Sequence, residues 1–443
     1  MMPKLPLKSL ALLIVVCLSK AVDANEQLSV SLPTELVPST RTFEEAVGLE
    51  RDGYYDAALA AYADFLATGG ANLRPEALWR TAQLHDRSSQ KSEAATFYFQ
   101  LLAEFPTFDR SADALLNLAQ LEADLGNLST ATNRHKEVLE KFPQSPQADE
   151  AAYWLALAAA DGKDSDAARR YINSLLDLAD SVDEVVSEQS KLLRAQAACL
   201  KCQLAAQEDQ WYEISEFLNS TNWEIDSGPT FAQLAFWEAE AKFRLGHYNS
   251  ARQKFEALKL LVFGVAEPWI PIVHLRRAQL AARQQQWKRV SEIISEIDAA
   301  YPEFELAYEA DYLRGRALAG RGQMSEARQA YQAVLNNELT NGTETAAMAQ
   351  WMIGETYFLQ HDYEHAQTAY QNVLLDHQYP EWQAKAALKE GKCAELKGDW
   401  LEASELYQQA LQNWNASEVA EQLASRLKWA QRQAILTTTT MRK

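Results

Sequence analysis

Apolar positions along this chain recur as pairs of short amphipathic segments. The stretch "GDWLEASELYQQAL", Gly398 to Leu411, reads glycine, polar residue, aromatic, alanine three later and a second aromatic four beyond that; "GHYNSARQKFEAL", Gly246 to Leu258, repeats the pattern. Aligned on its alanine, the pattern falls at Ala58, Ala94, Ala131, Ala168, Ile214, Ala251, Val290, Ala327, Ala366 and Ala403, with steps of 36, 37, 37, 46, 37, 39, 37, 39 and 37 residues. Twelve residues before these anchors stand Ala46, Ala82, Ala119, Ala156, Cys202, Ala239, Ala278, Gly315, Gly354 and Gly391, all of them small. Four residues after them stand Tyr62, Tyr98, His135, Ile172, Leu218, Phe255, Ile294, Tyr331, Tyr370 and Tyr407, large and apolar or aromatic except for His135.

A helix hairpin accounts for this spacing. A small residue on the first helix admits the second helix closely, and the large residue of the second fills the space beside it. Neither helix buries its apolar face alone, so each pair needs neighbours. The breakers "RDGYY", "DLGNL", "RLGHY" and "LKGDW" lie between the paired segments, where glycine can take the left-handed conformation that stops a helix. An aromatic three residues before the anchor opens the second helix at Tyr55, Trp211, Tyr248, Trp287, Tyr363 and Trp400. Pro106, Pro143, Pro302 and Pro380 are placed to close several units.

The pattern resembles the tetratricopeptide repeat, with small residues at two fixed positions and a closing proline. Ten units cover about Arg41 to Asn415, and the fit weakens in the fifth, where Ile214 replaces the alanine. The resemblance implies an all-α fold, a right-handed α-α superhelix of about ten hairpins with a C-terminal capping helix. Stretches such as "KFPQSPQADEAAYWLA" are also similar to exported bacterial repeat proteins of the TolA-binding cell-division coordinator and outer-membrane assembly lipoprotein type. The organisation expected is a signal peptide over 1–24, a linker over 25–40, a first block of repeats over 41–176, an insertion over 177–188, a second block over 189–417, a capping helix over 418–436 and a disordered tail over 437–443. The long step of 46 places the insertion near "DLADSVDEVVSE", and "LVFGVAEPWIPI", Leu261 to Ile272, reads as a buried turn between repeats, with an exposed apolar patch for a partner as the alternative.

Composition fits the helical reading. Glycine (16) and proline (13) are scarce in 443 residues, while 47% of the chain is hydrophobic, enough for a core. A formal net charge of −19 leaves no basic footprint for phosphate backbones and excludes nucleic acid as the expected partner. Lys4 and Lys8 precede the apolar run Leu10 to Leu18, which is too short to span a membrane and is followed by the small residues of "AVDA". Export is expected, with a periplasmic destination; retention by an uncleaved N-terminus is the alternative.

Candidate chemistry is sparse. Cys199 and Cys202 form a lone C-x-x-C, but Cys202 occupies the small position of the fifth repeat. His361 and His365 are four apart, but His361 falls in the turn before its helix. The chain has no P-loop, dinucleotide fingerprint or nucleophile elbow. Neither a catalytic residue, a metal ligand nor a cofactor is assigned. Metal- or thiol-dependent chemistry at those Cys or His pairs is one alternative function, and a self-associating structural spacer is another.

In tetratricopeptide arrays the first helices line a concave face, which takes extended peptides. The resemblance implies that the residues three before and one after each small position point into it. The candidate groove residues are Trp79, Gln83, Gln120, Tyr153, Gln203, Phe236, Glu240, Gln279, Tyr312, Arg316, Trp351 and Glu355. An aromatic row beside a Gln/Glu row suits an extended chain, with rings giving apolar contact and amides bonding to backbone. Glu76, Asp113 and Glu150 would add an acidic ladder, and Arg244, Arg283 and Arg316 a basic stretch. The sequence-based expectation is a non-enzymatic exported scaffold that binds protein or peptide partners, neither nucleic acid nor small-molecule substrates, in assembly or organisation of the cell envelope.

Overall fold

The computed structural model describes residues 43–68, 72–177, 187–220, 228–262 and 267–440. Among them every regular element is helical, with no strand. The expected leader and linker, and residues 178–186 of the expected insertion, lie outside the described residues.

The described residues fall into two compact units, divided along the chain between Ala241 and Lys242. In the first, hairpins pair α1 (Phe43–Arg51) with α2 (Tyr55–Thr68), α3 (Arg74–Arg87) with α4 (Lys91–Glu104), and α5 (Ser111–Asp124) with α6 (Leu128–Lys141). They continue with α7 (Pro146–Asp161) and α8 (Ser165–Asp177), then α9 (Glu188–Gln207) and α10 (Trp211–Ser220). Helix α11 (Pro229–Arg244) crosses the boundary. The second unit holds α12 (Tyr248–Leu261), α13 (Ile270–Arg283) with α14 (Trp287–Ala300), and α15 (Ala307–Gly320) with α16 (Met324–Asn336). After a 3-10 turn at Glu338–Thr340 come α17 (Glu344–Leu359) with α18 (Tyr363–Asp376), α19 (Pro380–Lys397) with α20 (Trp400–Asn413), and the last helix α21 (Ala420–Thr440). Within each unit a helix packs chiefly on those one and two places along the chain.

The predicted pattern marks the contacts that hold each hairpin. The small residues are inaccessible: Ala46, Ala82, Ala119 and Ala156 are 0% exposed, as are the anchors Ala58, Ala94, Ala131 and Ala168. Behind them the large residues close the hairpin. Tyr98, for example, is buried with its ring centroid 5.5 Å from that of Trp79, edge to face. Such ring pairs contribute about 0.5–1.5 kcal/mol beyond burial of their area. Helices α2, α10, α12, α14, α18 and α20 begin at the six predicted aromatic residues.

Each of the ten turns has one residue with positive φ, five before the anchor. It is glycine in five turns (Gly53, Gly126, Gly246, Gly322, Gly398) and Ser89, Lys163, Asp209, Gln285 or His361 in the others. The turn geometry is therefore constant while its sequence is not.

Two expectations are corrected. Pro380 closes nothing: it is the first residue of α19, where a missing N–H is harmless because the first turn has no intrahelical acceptor for it. The terminal helix runs to Thr440, past the expected end at Leu436, and its outer side carries the exposed Trp429, Ile435 and Leu436. Of the apolar segment Leu261 to Ile272, Trp269 is buried ahead of α13, but Ile270 and Ile272 are buried in the first turn of that helix and Leu261 is exposed at the end of α12, so only part of the stretch is a buried turn; residues 263–266 lie outside the description.

Candidate functional site

The first helices of the hairpins carry the expected groove residues, and each unit arranges them in its own way. In the unit ending at Ala241, Trp79, Tyr153 and Phe236 are nearly inaccessible. Trp79 packs on Tyr98 of its own hairpin, with the Arg110 guanidinium 5.7 Å from its ring; Phe236 packs edge-on against Trp237 at 5.4 Å. Here the aromatic row forms hairpin wall. Of the amide row, Gln83 is half-buried, Gln203 is buried with Glu240, and Gln120 is exposed, its Nε2 donating to Asp124 at 3.1 Å.

The expected acidic ladder is not uniform. Glu50 on α1 accepts from Tyr62 Oη at 2.7 Å and from Arg80 Nη1 at 3.1 Å. Arg80 Nε also donates to Glu76 at 2.7 Å, and Arg110 lies 3.8 Å from Glu76. The acidic residue of the second repeat is therefore compensated. Asp113 accepts from Gln147 Nε2 at 2.6 Å, and burial followed by repulsion from Asp113 and Asp149 raises the Glu150 carboxyl above its usual range. Negative character concentrates between α5 and α7.

In the unit beginning at Lys242, Gln279 is buried and accepts from Arg276 Nη1 at 2.8 Å. Tyr312 is buried against Tyr331 at 5.9 Å, and burial raises its phenol to about 12. Arg316 lies 5.8 Å from the Trp287 ring, and Arg283 stacks on Tyr248 at 3.7 Å. These arginines are held over rings and do not form a continuous basic stretch; Arg244 ends α11.

The best-developed surface lies between α17 and α19. Trp351 is half-buried, 6.5 Å from Tyr370 and 5.6 Å from Trp382. Glu355 accepts from Tyr370 Oη at 2.5 Å and pairs with Lys389 Nζ at 2.6 Å. Lys389 also lies 4.7 Å from the Phe358 ring and 5.6 Å from Trp351, while Lys385 lies 4.8 Å from Trp382. Lys392, one turn on, has its pKa lowered by burial first and then by Arg426 and Lys389. Sequence reasoning placed Trp351 and Glu355 here and missed Lys385 and Lys389. Their signal was the spacing Lys385, Lys389, Lys392, which puts three cations on one helical face.

The pairs weighed for chemistry are separated or sealed. Burial raises the thiols of Cys199 and Cys202 well above the usual range, with Cys202 adding to the rise at Cys199. His361 occupies the left-handed turn position, its Nδ1 2.8 Å from Tyr363 Oη, whereas His365 Nδ1 lies 2.8 Å from Asp362. Among the described residues no group of three or more His, Cys, Asp or Glu is placed to hold a metal ion.

The family model described as "Tetratricopeptide repeat" matches residues 116–182, 294–342 and 351–418. These three segments are tetratricopeptide repeats. The surface between α17 and α19 lies inside the third. Repeats of this kind generally serve as non-catalytic scaffolds for protein interaction. No curated protein matches the chain. Among solved structures, the chain is similar to the P58(IPK) TPR domain at 17% identity, covering 89% of this chain and 97% of that one, with a TM-score of 0.37. It is similar to yeast Tom70 at 14% identity, covering 89% and 95%, with a TM-score of 0.36. The apo form of RapI is similar at 12% identity over 63% and 80%, with a TM-score of 0.45.

Proposed function

We propose that this chain is a non-catalytic, exported scaffold that takes extended segments of other proteins on its first-helix faces, working in the periplasm in assembly or organisation of the cell envelope. One observation carries the binding reading. Between α17 and α19, Lys385 and Lys389 are positioned over Trp351, Phe358 and Trp382, and Glu355 pairs with Lys389. Cations ordered over rings on a chain of net charge −19 favour segments that carry carboxylates beside apolar side chains. Export and the envelope role are supported by the N-terminal pattern of Lys4, Lys8 and the Leu10 to Leu18 run, and by the similarity of "KFPQSPQADEAAYWLA" to exported repeats.

Alanine at Trp79 or Phe236 would remove hairpin wall at a cost of about 3–5 kcal/mol, so loss of binding there would be ambiguous. Photo-crosslinking in the native cell avoids this. A photoreactive residue at Lys385, Lys392 or Met352 should capture protein partners, and one at the exposed Leu375 or Leu401 on the second helices should not. Equal capture from both sets would remove the first-helix reading. Recovery of the protein in the cytoplasmic fraction would remove the exported one.

A second reading, association of copies through the chain's end, is favoured by exposed Trp429 on α21. A mass by light scattering that rises with concentration, and stops rising in Trp429→Glu, would support it.

A further inference from the structure

The second helices of the second and third hairpins enclose a feature that the first-helix reading does not use. A cavity of about 190 Å³ opens between α4 and α6, floored by Leu102, Pro106, Leu115 and Phe142. Its floor rests on the cluster of Leu115, Val138 and Ala151, so it is backed by core. An apolar cavity of about 150 Å³ is enough to admit benzene, so this one has room for a single aromatic or leucine-sized side chain.

Phe99 forms the wall and is 55% exposed. Its position, five after the anchor, is solvent-facing and held elsewhere by Ala63, Lys136, Asn173, Asn219, Glu256, Ser295, Gln332, Gln371 and Gln408. Nine repeats therefore close without a large apolar group there, and the hairpin does not need Phe99. A lone exposed ring is ordinary on a protein surface; this one stands on the wall of a cavity backed by core, which puts it within reach of a partner's side chain.

The mouth is charged. Arg134 lies 5.6 Å from the Phe99 ring and donates to Glu137 at 2.8 Å; Lys141 Nζ donates to the same carboxylate at 2.6 Å. Burial alone would raise the Glu137 carboxyl, but its bonds to Lys141 and Arg134 outweigh that and hold it below the usual range. Two cations share one anion, leaving the rim at +1 on a strongly acidic protein. An ammonium has three donors. Lys141 is 59% exposed and gives one of them to Glu137, so others can reach an incoming carboxylate.

We propose that the α4–α6 cavity is a second docking site, for a protein segment in which one Phe- or Leu-sized side chain is flanked by Asp or Glu. The side chain enters beside Phe99 and the flanking carboxylates meet Lys141 and Arg134. It is separate from the surface between α17 and α19.

The test uses the full chain and fluorescence anisotropy with three labelled peptides, Gly-Asp-Phe-Glu-Gly, Gly-Asp-Ala-Glu-Gly and Gly-Lys-Phe-Lys-Gly. The first should bind at least ten-fold more tightly than the other two. Ala103→Trp, which fills the cavity from an exposed position at its edge, and Lys141→Glu should each weaken it at least ten-fold with unchanged helical circular dichroism. Lys385→Glu on the first-helix face should leave it unchanged. Equal binding of the Phe and Ala peptides, equal binding of the lysine-flanked peptide, undiminished binding to Ala103→Trp, or no binding of the first peptide would each overturn the proposal. Loss of binding in Lys385→Glu alone would assign the peptide to the first-helix face and overturn the cavity site.

Discussion

Gly354 on α17 lies against the ring of Tyr370 on α18: a β-carbon at Gly354 would stand 2.5 Å from Tyr370 Cε1 and 2.7 Å from Cδ1. Real β-carbons do not approach ring carbons so closely. The ring is fully buried and its hydroxyl is tied to Glu355, so it has nowhere to go.

Gly354→Ala should therefore destabilise the protein. Alanine gains about 1 kcal/mol of helix propensity, but overpacking costs about 1–3 kcal/mol, and the second effect wins. Gly48→Ala on α1 is the control: nothing lies within 4 Å of its added β-carbon, so the propensity gain stands alone. Urea denaturation midpoints should fall for the first variant and rise or hold for the second.

His135 takes the place that tyrosine, phenylalanine or an aliphatic residue fills in the other repeats. It is 1% exposed and stacked on Trp154 at 4.2 Å, and neither ring nitrogen has a hydrogen-bond partner. Burial depresses its pKa from 6.5 to about 4. The unfolded chain thus binds a proton that the folded one refuses between those values. Above pH 6.5 His135 has no effect. As pH falls from 6.5 to 4 stability declines, by on the order of 3 kcal/mol in total. His135→Phe should flatten that part of the stability curve, measured by thermal melts from pH 7 to pH 4; an unchanged slope would contradict the assignment.

Gln285 and Lys163 hold φ of 56° and 61° in their turns, where five other repeats place glycine. A side chain in this conformation costs roughly 1–2 kcal/mol, and glycine returns part of that through a more disordered unfolded state. Gln285→Gly and Lys163→Gly should each raise stability by about 0.5–1 kcal/mol. A loss in both variants, read by chemical denaturation, would show that side-chain contacts at the turn outweigh backbone strain.

Cys199, Cys202 and Cys393 are buried, and burial raises the Cys393 thiol to about 12. Only thiolate attacks alkylating agents at a useful rate. Iodoacetamide at pH 8 should leave all three unmodified in the folded protein and label them in urea. Fast labelling of Cys199 or Cys202 in native protein would reopen thiol chemistry at that pair.

The hairpins were legible because their packing needs a particular size at a particular place. A small side chain at Ala82 and a large one at Tyr98 are demands of geometry; the small one is met at every repeat, and the large one by a ring or by Ile or Leu. The turns were only half legible. Gly126 declares its conformation, whereas His361 adopts the same one silently, because hairpin closure imposes it. The first-helix surface was the least readable part. Trp79 and Trp351 share a repeat position, and each has a cation of the next hairpin beside it, Arg110 or Lys389, yet one is buried wall and the other half-buried. Periodicity records what a residue owes its own hairpin and little of what the next one brings.

The habit of each described helix to pack chiefly on its near neighbours along the chain has a mechanical consequence. In the unit from Lys242, no distant strand of the polymer must be found before the next piece can settle, so ordering can spread like a zip from any nucleus. Pulled from its carboxyl end, that unit should lengthen in small, reversible steps, losing α21 and then successive pairs, with no single rupture.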